Sequence, residues 1–442
     1  MTTPPPPSTS AKSLWREPVA GADGFWLQDS PANLMIINSV MIFDRIGIET
    51  FRRLFLERVV AAGGRTRFPR FTRRVVKVGG RYHWEEDPEF DVSRHIVPGP
   101  AEVSDSDRLR EYVSEQAEQP LPEDRARWQV QLIEDFEDGA TAIISRVHHC
   151  MGDGLALVPV LFTMMDALQA SSGLPGDKVA KKKPNKLALA AKLPFAGPLV
   201  LAQKMIWKAD RSPVHGPELV GAKRVGWTRK FELGHIKGLK NRFEATVNDV
   251  LMAAIAGAFQ RYLEDTAGSY VEKVRASMPV SIRAQGEAPV MNNRFAAVLL
   301  ELPAGIRDVR ARVAETKRRM SALKRSVEPL VTYGLMRIMV KALPQGISTR
   351  LADFLANKCT CVVTNVPGPQ EDLYIGGSRL RNMIFWVPQR GKIGIGISIF
   401  SFSGHVQLGI IADTALLPDP QLFAKAFEDE LEHMAQVAGT AS

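Results

Sequence analysis

The sequence predicts an α/β protein built in two parts, because three of its features point that way. Its 442 residues exceed what one ordinary hydrophobic core accommodates. Runs typical of strands and runs with helical spacing recur along the whole chain. A basic and apolar stretch at 173–222 interrupts them. We therefore predict an N-terminal part at 15–172, a linker at 173–222 and a C-terminal part at 223–442.

The composition is that of a soluble globular protein, with 45% hydrophobic and 24% charged residues. Residues 1–14 are rich in proline and lack the basic and apolar regions of a signal peptide, so we expect a disordered tail. The sequence contains no run of about 18 uncharged apolar residues, so we predict no membrane-spanning helix. Three cysteines without paired spacing favour a reducing compartment over a disulfide framework. We therefore expect a cytoplasmic protein.

The net charge of +9 indicates an anionic partner or surface, such as a phosphorylated cofactor, an acidic membrane or nucleic acid. The basic patches lack the motifs of known nucleic-acid binders, so we predict no nucleic-acid partner. In the linker at 173–222, lysines alternate with apolar residues, which suits the plane of a membrane interface. A crossover between the two parts, with its apolar residues docked on the body, explains the same pattern, and both can hold.

In the N-terminal part, patterns of both kinds lead up to one polar motif. Helical spacing of apolar residues predicts a helix at 48–62, and a polar helix capped within 104–107 runs through Glu118. Strands are predicted at 74–78, 129–133 and 141–147, and we expect the last two to pair.

The motif lies at the end of the strand 141–147 and reads His148-His149-Cys150-Met151-Gly152-Asp153-Gly154. Neighbouring side chains of a strand point to opposite faces, so one histidine should face a cavity and the other should be packed inside. The two glycines allow a sharp turn that holds Asp153, where the carboxylate can find a cation or a backbone partner. Such an arrangement is typical of a general base. A zinc site is disfavoured, because adjacent histidines on a strand diverge.

The C-terminal part shows the same alternation of helices and strands. We predict strands at 224–231, 274–283, 296–302 and 360–366, and three antiparallel strands at 383–387, 394–402 and 406–412. Helices are predicted at 246–263, 307–326, 330–343 and 347–356. The helices at 330–343 and 347–356 are apolar, and we expect them to cover an acyl channel.

The H-H-x-x-x-D-G spelling resembles the acyltransfer motif of the chloramphenicol acetyltransferase-like superfamily. Further stretches resemble the ordered motif series of the wax ester synthase/diacylglycerol acyltransferases. They are Pro120-Leu121 with Trp128, Asn248-Asp249, Ser277 to Arg283, Asn293, and Thr364-Asn365-Val366-Pro367-Gly368-Pro369. The chain departs from that series where Thr364 replaces the usual serine, where Asn292 replaces the usual glycine, and where the Pro-Leu-Trp block is split.

The resemblance implies two chloramphenicol acetyltransferase-like subdomains with mixed sheets flanked by helices, joined by a crossover linker. An active-site tunnel would lie at their interface. Acyl-CoA would enter from one face as a substrate, and a long-chain alcohol or diacylglycerol from the other, with no cofactor and no metal. The protein would associate peripherally with a membrane or with lipid inclusions. Its oligomeric state is left open, a homodimer included.

The resemblance also assigns roles to individual residues. His149 is the general base, His148 is its packed support, and Asp153 is structural and pairs with Arg283. Gly154 is structural as well. Asn248 and Asn365 could hold the thioester or the reacting oxygen, beside Thr364 and Ser281, but helix capping by Asn248 and turn formation by Asn365 are equally good readings. Two other functions stay open: a condensation-type or other acyltransferase that uses carrier-protein thioesters or another alcohol, and a non-enzymatic lipid-surface protein.

Overall fold

The computed structural model describes residues 15–62, 65–166, 186–282, 291 and 293–439. The predicted tail at 1–14, part of the linker and Arg283 lie outside them. The elements before the linker are β1 (Arg16–Pro18), α1 (Gly21–Gly24), β2 (Ile36–Phe43), α2 (Ile48–Phe55), β3 (Ala61–Ala62), β4 (Arg65–Thr66), β5 (Arg73–Val78), β6 (Arg81–Glu86), β7 (Ile96–Pro98), α3 (Ser106–Ala117), β8 (Trp128–Phe136), β9 (Ala140–His148) and α4 (Gly154–Met164).

The linker and the C-terminal part contribute the remaining elements. They are α5 (Lys186–Ile206), β10 (Lys223–Trp227), β11 (Phe231–Glu232), α6 (Leu233–Arg242), α7 (Val247–Ala267), β12 (Val274–Ser281), β13 (Phe295–Leu302), α8 (Val309–Arg325), α9 (Glu328–Ala342), α10 (Gln345–Ala356), β14 (Cys361–Pro367), β15 (Tyr374–Ile375), β16 (Ser378–Trp386), β17 (Ile395–Phe402), β18 (His405–Asp413) and α11 (Pro420–Ala438).

The N-terminal sheet has the strand order β15-β16-β2-β9-β8-β7. The predicted pairing of 129–133 with 141–147 is confirmed, because β8 and β9 run antiparallel with Gln129 opposite Arg146. Trp128 anchors the core beneath this sheet: it is 2% exposed, and its ring stacks on His95 and on Phe55. The strand β9 ends at His148, so the sheet delivers the motif to its edge.

The second sheet has the order β10-β18-β17-β14-β12-β13, with β11 paired to β18. Here β14 runs parallel to both of its neighbours, β12 and β17. The helix α7 is buried all round from Asp249 to Gln260, because it packs between this sheet and α11. The predicted α/β class with mixed sheets is thus confirmed, whereas the tunnel between these two large sheets stays a prediction.

One strand of the C-terminal part belongs to the other sheet. We predicted antiparallel pairing among 383–387, 394–402 and 406–412, but only the last two segments pair with each other. The strand β16 instead runs antiparallel to β2, with Met383 opposite Met41, and it carries the short β15 with it. The predicted boundary at 223 therefore does not separate the sheets, since periodicity reveals a strand but not its partner.

The described end of the linker is a helix docked on the body. The ammonium group of Lys358 donates hydrogen bonds to the carbonyl oxygens of Lys204, Met205 and Trp207 at the end of α5. Lys204 also forms an ion pair with Glu328 at the start of α9. These contacts are polar, and Leu199, Met205 and Ile206 of α5 are exposed, so the docking of the linker through its apolar residues stays a prediction. None of the helices that the structure describes is both long and apolar enough to cross a membrane.

Candidate active site

The motif forms a short turn between β9 and α4. Residues His149–Met151 make one 3-10 turn, and Asp153 caps α4 by accepting a hydrogen bond from the Ala156 amide at 2.9 Å. We expected Gly154 to permit a sharp turn, but it is simply the first residue of α4. It has no positive φ, and a Cβ built there would contact no atom within 4 Å. Steric contacts within the protein therefore do not explain why position 154 is a glycine.

His148 is buried and fixed on both ring nitrogens. Its Nε2 lies 2.9 Å from Oδ2 of Asp29, and the Cys150 amide donates to its Nδ1 at 3.2 Å. The amide donates to Nδ1, so the proton shared with Asp29 lies on Nε2. Burial lowers the pKa of His148, but the neighbouring Cys150 and Asp29 outweigh that effect and raise the pKa to about 9. Burial raises the pKa of Asp29, but the hydrogen bond and charge of His148, together with the Met35 amide, outweigh burial, and the pKa lies below its usual value.

His149 lies in a dry aromatic environment. Its ring stacks on Trp26 with centroids 4.0 Å apart, and the Phe295 ring lies 5.9 Å away. Its Nδ1 is buried and accepts no hydrogen bond from any residue that the structure describes. Burial lowers the pKa of His149 to about 4, although the nearby Asp153 carboxylate acts in the opposite direction. The ring is therefore neutral at physiological pH and has a lone pair for a proton.

Two side chains hold the carbonyl groups of the motif turn. Arg70 donates to the carbonyl oxygens of Cys150 and Met151, at 3.2 and 3.0 Å. Asn293 donates its side-chain N–H to the carbonyl oxygen of His149 at 2.9 Å. The turn is thus held from the N-terminal part on one side and from the C-terminal part on the other.

The carboxylate of Asp23, fully buried, connects these two donors. One of its oxygens accepts from Arg70 at 2.6 Å, and the other accepts from the amide and the side chain of Asn293 at 2.9 Å. Sequence reasoning included Asn293 in the motif series but missed Asp23, Arg70, Asp29 and Trp26. The available signal was weak: acidic and basic residues in apolar surroundings far from the motif.

Asp153 likewise bridges the two parts of the chain. Its second carboxylate oxygen accepts from the backbone amide of Arg294 at 3.0 Å, close to Asn293. The pairing with Arg283 lies outside the described residues and stays a prediction. The three motif residues His148, His149 and Asp153 are thus brought together at the junction of the two sheets.

Asn248 and Asn365 are hydrogen-bonded to each other, with the side-chain N–H of Asn365 donating to Oδ1 of Asn248. The cap of α7 is Thr246, which forms a capping box with Asp249, so the capping reading of Asn248 is wrong. Asn365 lies inside β14, so the turn reading is wrong as well. Both amides are therefore free of the structural roles first considered for them.

The strand order places this amide pair near the edge that carries Phe295. Ser281, the last residue of β12, pairs with Phe295 at the start of β13. Beyond β12 lies β14, which carries Thr364 and Asn365 and pairs with β12 where Ala276 lies opposite Cys361 and Ser277 opposite Val362. Thr364 is buried beside it.

No metal centre is found within the described ranges, because no three His, Cys, Asp or Glu side chains there lie in position to bind an ion. Cys150, Cys359 and Cys361 are free thiols, all buried. No disulfide joins any two of them.

Solved structures resemble this chain over nearly its whole length. One is the wax ester synthase/diacylglycerol acyltransferase from Marinobacter aquaeolei VT8, with 21% identity, 96% of this chain and 99% of that chain covered, and a TM-score of 0.70. Another is the first condensation domain of the calcium-dependent antibiotic synthetase, with 15% identity, 97% of each chain covered, and a TM-score of 0.61. The fold is that of the chloramphenicol acetyltransferase-like class.

The chain belongs to the wax ester synthase/diacylglycerol acyltransferase family. The catalytic domain of that family matches residues 20–205, and its C-terminal domain matches residues 291–435. Two probable diacylglycerol O-acyltransferases of Mycobacterium tuberculosis are relatives. One is 25% identical over 390 residues, covering 81% of this chain and 82% of its own, and the other is 24% identical over 420 residues, covering 88% and 91%.

We predict that Asp23→Asn destabilises the protein and slows the reaction. The substitution leaves the Arg70 charge unpaired and gives Asn293 a donor where it needs an acceptor. Breaking a buried ion pair costs about 3–5 kcal/mol, so the free energy of unfolding should fall by that amount, measured by denaturant unfolding. Asp429→Asn, which removes a carboxylate from an exposed pair, is the control. Equal losses in the two variants would contradict this role of Asp23.

We predict that the acid limb of kcat/KM lies well below pH 6.5. A base with a lowered pKa is protonated only at low pH, so activity should stay level from neutral pH down to about 5 and fall near 4. The measurement is kcat/KM against pH, with tryptophan fluorescence recorded in parallel to detect acid unfolding. A half-loss of activity near pH 6.5 in folded protein would show that His149 titrates as an ordinary histidine.

Proposed function

We propose that the protein transfers a long-chain acyl group from acyl-CoA to the hydroxyl group of a long-chain alcohol or of diacylglycerol. The observation that carries the proposal is the neutral, buried His149 on a turn held by both parts of the chain. The family supports it, since the relatives named above are diacylglycerol acyltransferases and the similar structure is a wax ester synthase.

In this reaction His149 takes the hydroxyl proton as the alcohol oxygen attacks the thioester carbonyl carbon. A tetrahedral oxyanion forms, the carbon–sulfur bond breaks, and the proton passes to the coenzyme A thiolate. The products are an ester and free coenzyme A, and no acyl-enzyme is needed. A positioned base typically contributes about 10²–10⁴-fold in rate. A neutral imidazole carries a lone pair on one of its two ring nitrogens, and that nitrogen accepts the hydroxyl proton.

The amide pair Asn248–Asn365 is our candidate for holding the thioester carbonyl. The bond between the two side chains uses one N–H of Asn365 and leaves the N–H groups of Asn248 free to donate. Donors aimed at a developing oxyanion typically supply about 10²–10³-fold in rate. Thr364 precedes Asn365 on β14, Ser281 ends the neighbouring strand β12, and both complete the proposed substrate-binding set.

The test of the proposed function is coenzyme A release from palmitoyl-CoA, with hexadecanol and dioleoylglycerol offered separately. We expect release that requires an acceptor and falls at least about 10²-fold in His149→Ala, since the base is lost. His433→Ala, at a half-exposed position on α11, is the matched control. Release without an acceptor, or an unimpaired His149→Ala, would overturn the mechanism. Turnover only with carrier-bound donors would favour the condensation-type alternative. The similarity in fold between this chain and a condensation domain is the reason for keeping that alternative.

A lipid surface is the proposed partner of the helices α5, α9 and α10. The helix α9 packs against both of the others. Together they carry seven exposed large apolar side chains: Leu199, Met205, Ile206, Leu330, Ile338, Ile347 and Phe354. The inner side of α9 and α10 packs on Phe25 and Trp26, the latter being the ring that stacks on His149. A membrane docked here would present its apolar substrates close to the base.

Vesicle flotation tests this docking. The variant Ile206→Asp/Ile338→Asp removes two side chains that are 79% and 61% exposed. Burial of one such side chain in lipid is worth about 1.5–3 kcal/mol, so we expect partition onto anionic vesicles to fall at least tenfold. Leu422→Asp, at an exposed position on α11, is the control and should float like the unmodified protein. Unmodified protein that stays unbound, or equal losses in both variants, would count against this surface.

A further inference from the structure

A cleft of about 310 Å³ lies between the first half of β16, the end of β17 and the start of β18. Its floor is apolar and includes the rings of Phe400 and Phe402. Its rim carries three cations, Lys230, Arg379 and Arg381, against one lining carboxylate, Asp372. The proposed mechanism uses none of these residues.

The positive charge of the rim is only partly neutralised. Arg381 is paired with Asp44 at 2.5 Å, which ties β16 to the end of β2. Arg379 lies 3.8 and 3.7 Å from Asp44 and Asp372, beyond hydrogen-bonding distance.

Lys230 has no acidic partner at all within the described part of the chain. Its ammonium group donates to the backbone carbonyl oxygen of Arg381 at 2.7 Å, and no carboxylate there lies within 4 Å. Burial, and then the charge of Arg379, lower the pKa of Lys230. The rim therefore brings Lys230, which has no carboxylate partner there, close to Arg379, whose two carboxylates lie beyond hydrogen-bonding distance.

The floor of the cleft belongs to a strand and to an apolar cluster that also extend to the active site. Phe400 pairs with Val366, the residue after Asn365, and Ile399 pairs with Asn365 itself. Phe400 and Phe402 belong to the same apolar cluster as Cys150 and Met151 of the motif turn.

The strand register gives the distance between the cleft and the motif. Along β2, Ile36 pairs with His148 and Ile42 pairs with Asn382 of the cleft, a separation of six residues or about 20 Å. A ligand anchored at the rim must therefore carry a long, slender, weakly charged arm to reach His149. The pantetheine arm of coenzyme A has that form.

We propose that this cleft binds the phosphate-bearing nucleotide end of acyl-CoA while the pantetheine arm follows the apolar floor to His149. The inference deepens the proposed function and rests on it. An apolar floor beneath a cationic rim suits a ligand that joins a flat ring to several negative charges. The phosphate of a lipid headgroup shares that charge, and the experiment separates the two sources.

The test is the variant Lys230→Ala/Arg379→Ala, which spares Arg381 because that residue holds β16 to β2. The control is Lys237→Ala/Arg242→Ala on α6, which removes the same charge from exposed positions outside the cleft. Each variant is assayed with palmitoyl-CoA and with palmitoyl-pantetheine, a donor that lacks the nucleotide. We expect the cleft variant to raise KM for palmitoyl-CoA roughly tenfold for each lost charged hydrogen bond. Its KM for palmitoyl-pantetheine should not change, so the difference in KM between the two donors should become smaller.

The outcomes separate the possible ligands. Equal effects on the two donors, or none, would overturn the inference. A cleft variant with an unchanged ratio of KM values for the two donors, but with lost flotation on anionic vesicles, would also overturn it. That result would assign the cleft to lipid headgroups. A raised KM for diacylglycerol alone would also overturn it, by assigning the cleft to the acceptor.

A binding measurement distinguishes failure of this inference from failure of the proposed function. Calorimetry with adenosine 3′,5′-bisphosphate requires no turnover. Binding by the unmodified protein and the α6 control, with loss in the cleft variant, would uphold the cleft even if acyl transfer were absent. No binding to the unmodified protein would overturn the cleft while leaving acyl transfer to stand on its own assay.

Discussion

The geometry of the site depends on one buried charge, the carboxylate of Asp23. A carboxylate removed from water is tolerated only when cations and N–H groups replace the lost hydration. Arg70 and Asn293 supply that replacement, and the same two side chains hold the carbonyl groups of the motif turn. The free energy that keeps Asp23 buried therefore also fixes the position of His149. Since Arg70 and Asn293 come from different parts of the chain, the site exists only when both parts are in place.

The burial of the site explains the protonation state of His149. The rings of Trp26 and Phe295 exclude water from His149, and exclusion of water disfavours the protonated ring. The neighbouring His148, by contrast, is supported by the charge of Asp29. Two adjacent histidines thus differ in role because one faces aromatic carbon and the other faces a carboxylate. No metal ion is needed to account for this difference between the two histidines.

Sequence reasoning succeeded where the signal is local. The β8–β9 pair and the helix α7 follow from alternation and from helical spacing within a few residues. The cap of α7 was also readable, since Thr246 and Asp249 have the spacing of a capping box, yet capping was considered only as one of two readings of Asn248.

The features that were missed depend on residues far apart in the chain. Asp23 lies 47 positions from Arg70 and 270 from Asn293, and Asp29 lies 119 from His148. No periodicity relates such partners, and a single charged residue in a loop has the same local pattern whether it is buried or solvated. The pairing of β16 with β2 has the same character, because a strand pattern does not specify which edge it will join.

That strand has a consequence for how the protein is made. The N-terminal strands emerge from the ribosome long before residue 386 is synthesised. Until then the edge of β2 carries unpaired backbone groups. Such an edge is a template for pairing with other nascent chains, and it stays open for more than two hundred residues of synthesis after β9 is complete. The N-terminal sheet is therefore completed after synthesis of most of the chain. Chaperone demand should accordingly concentrate on the interval before β16 emerges.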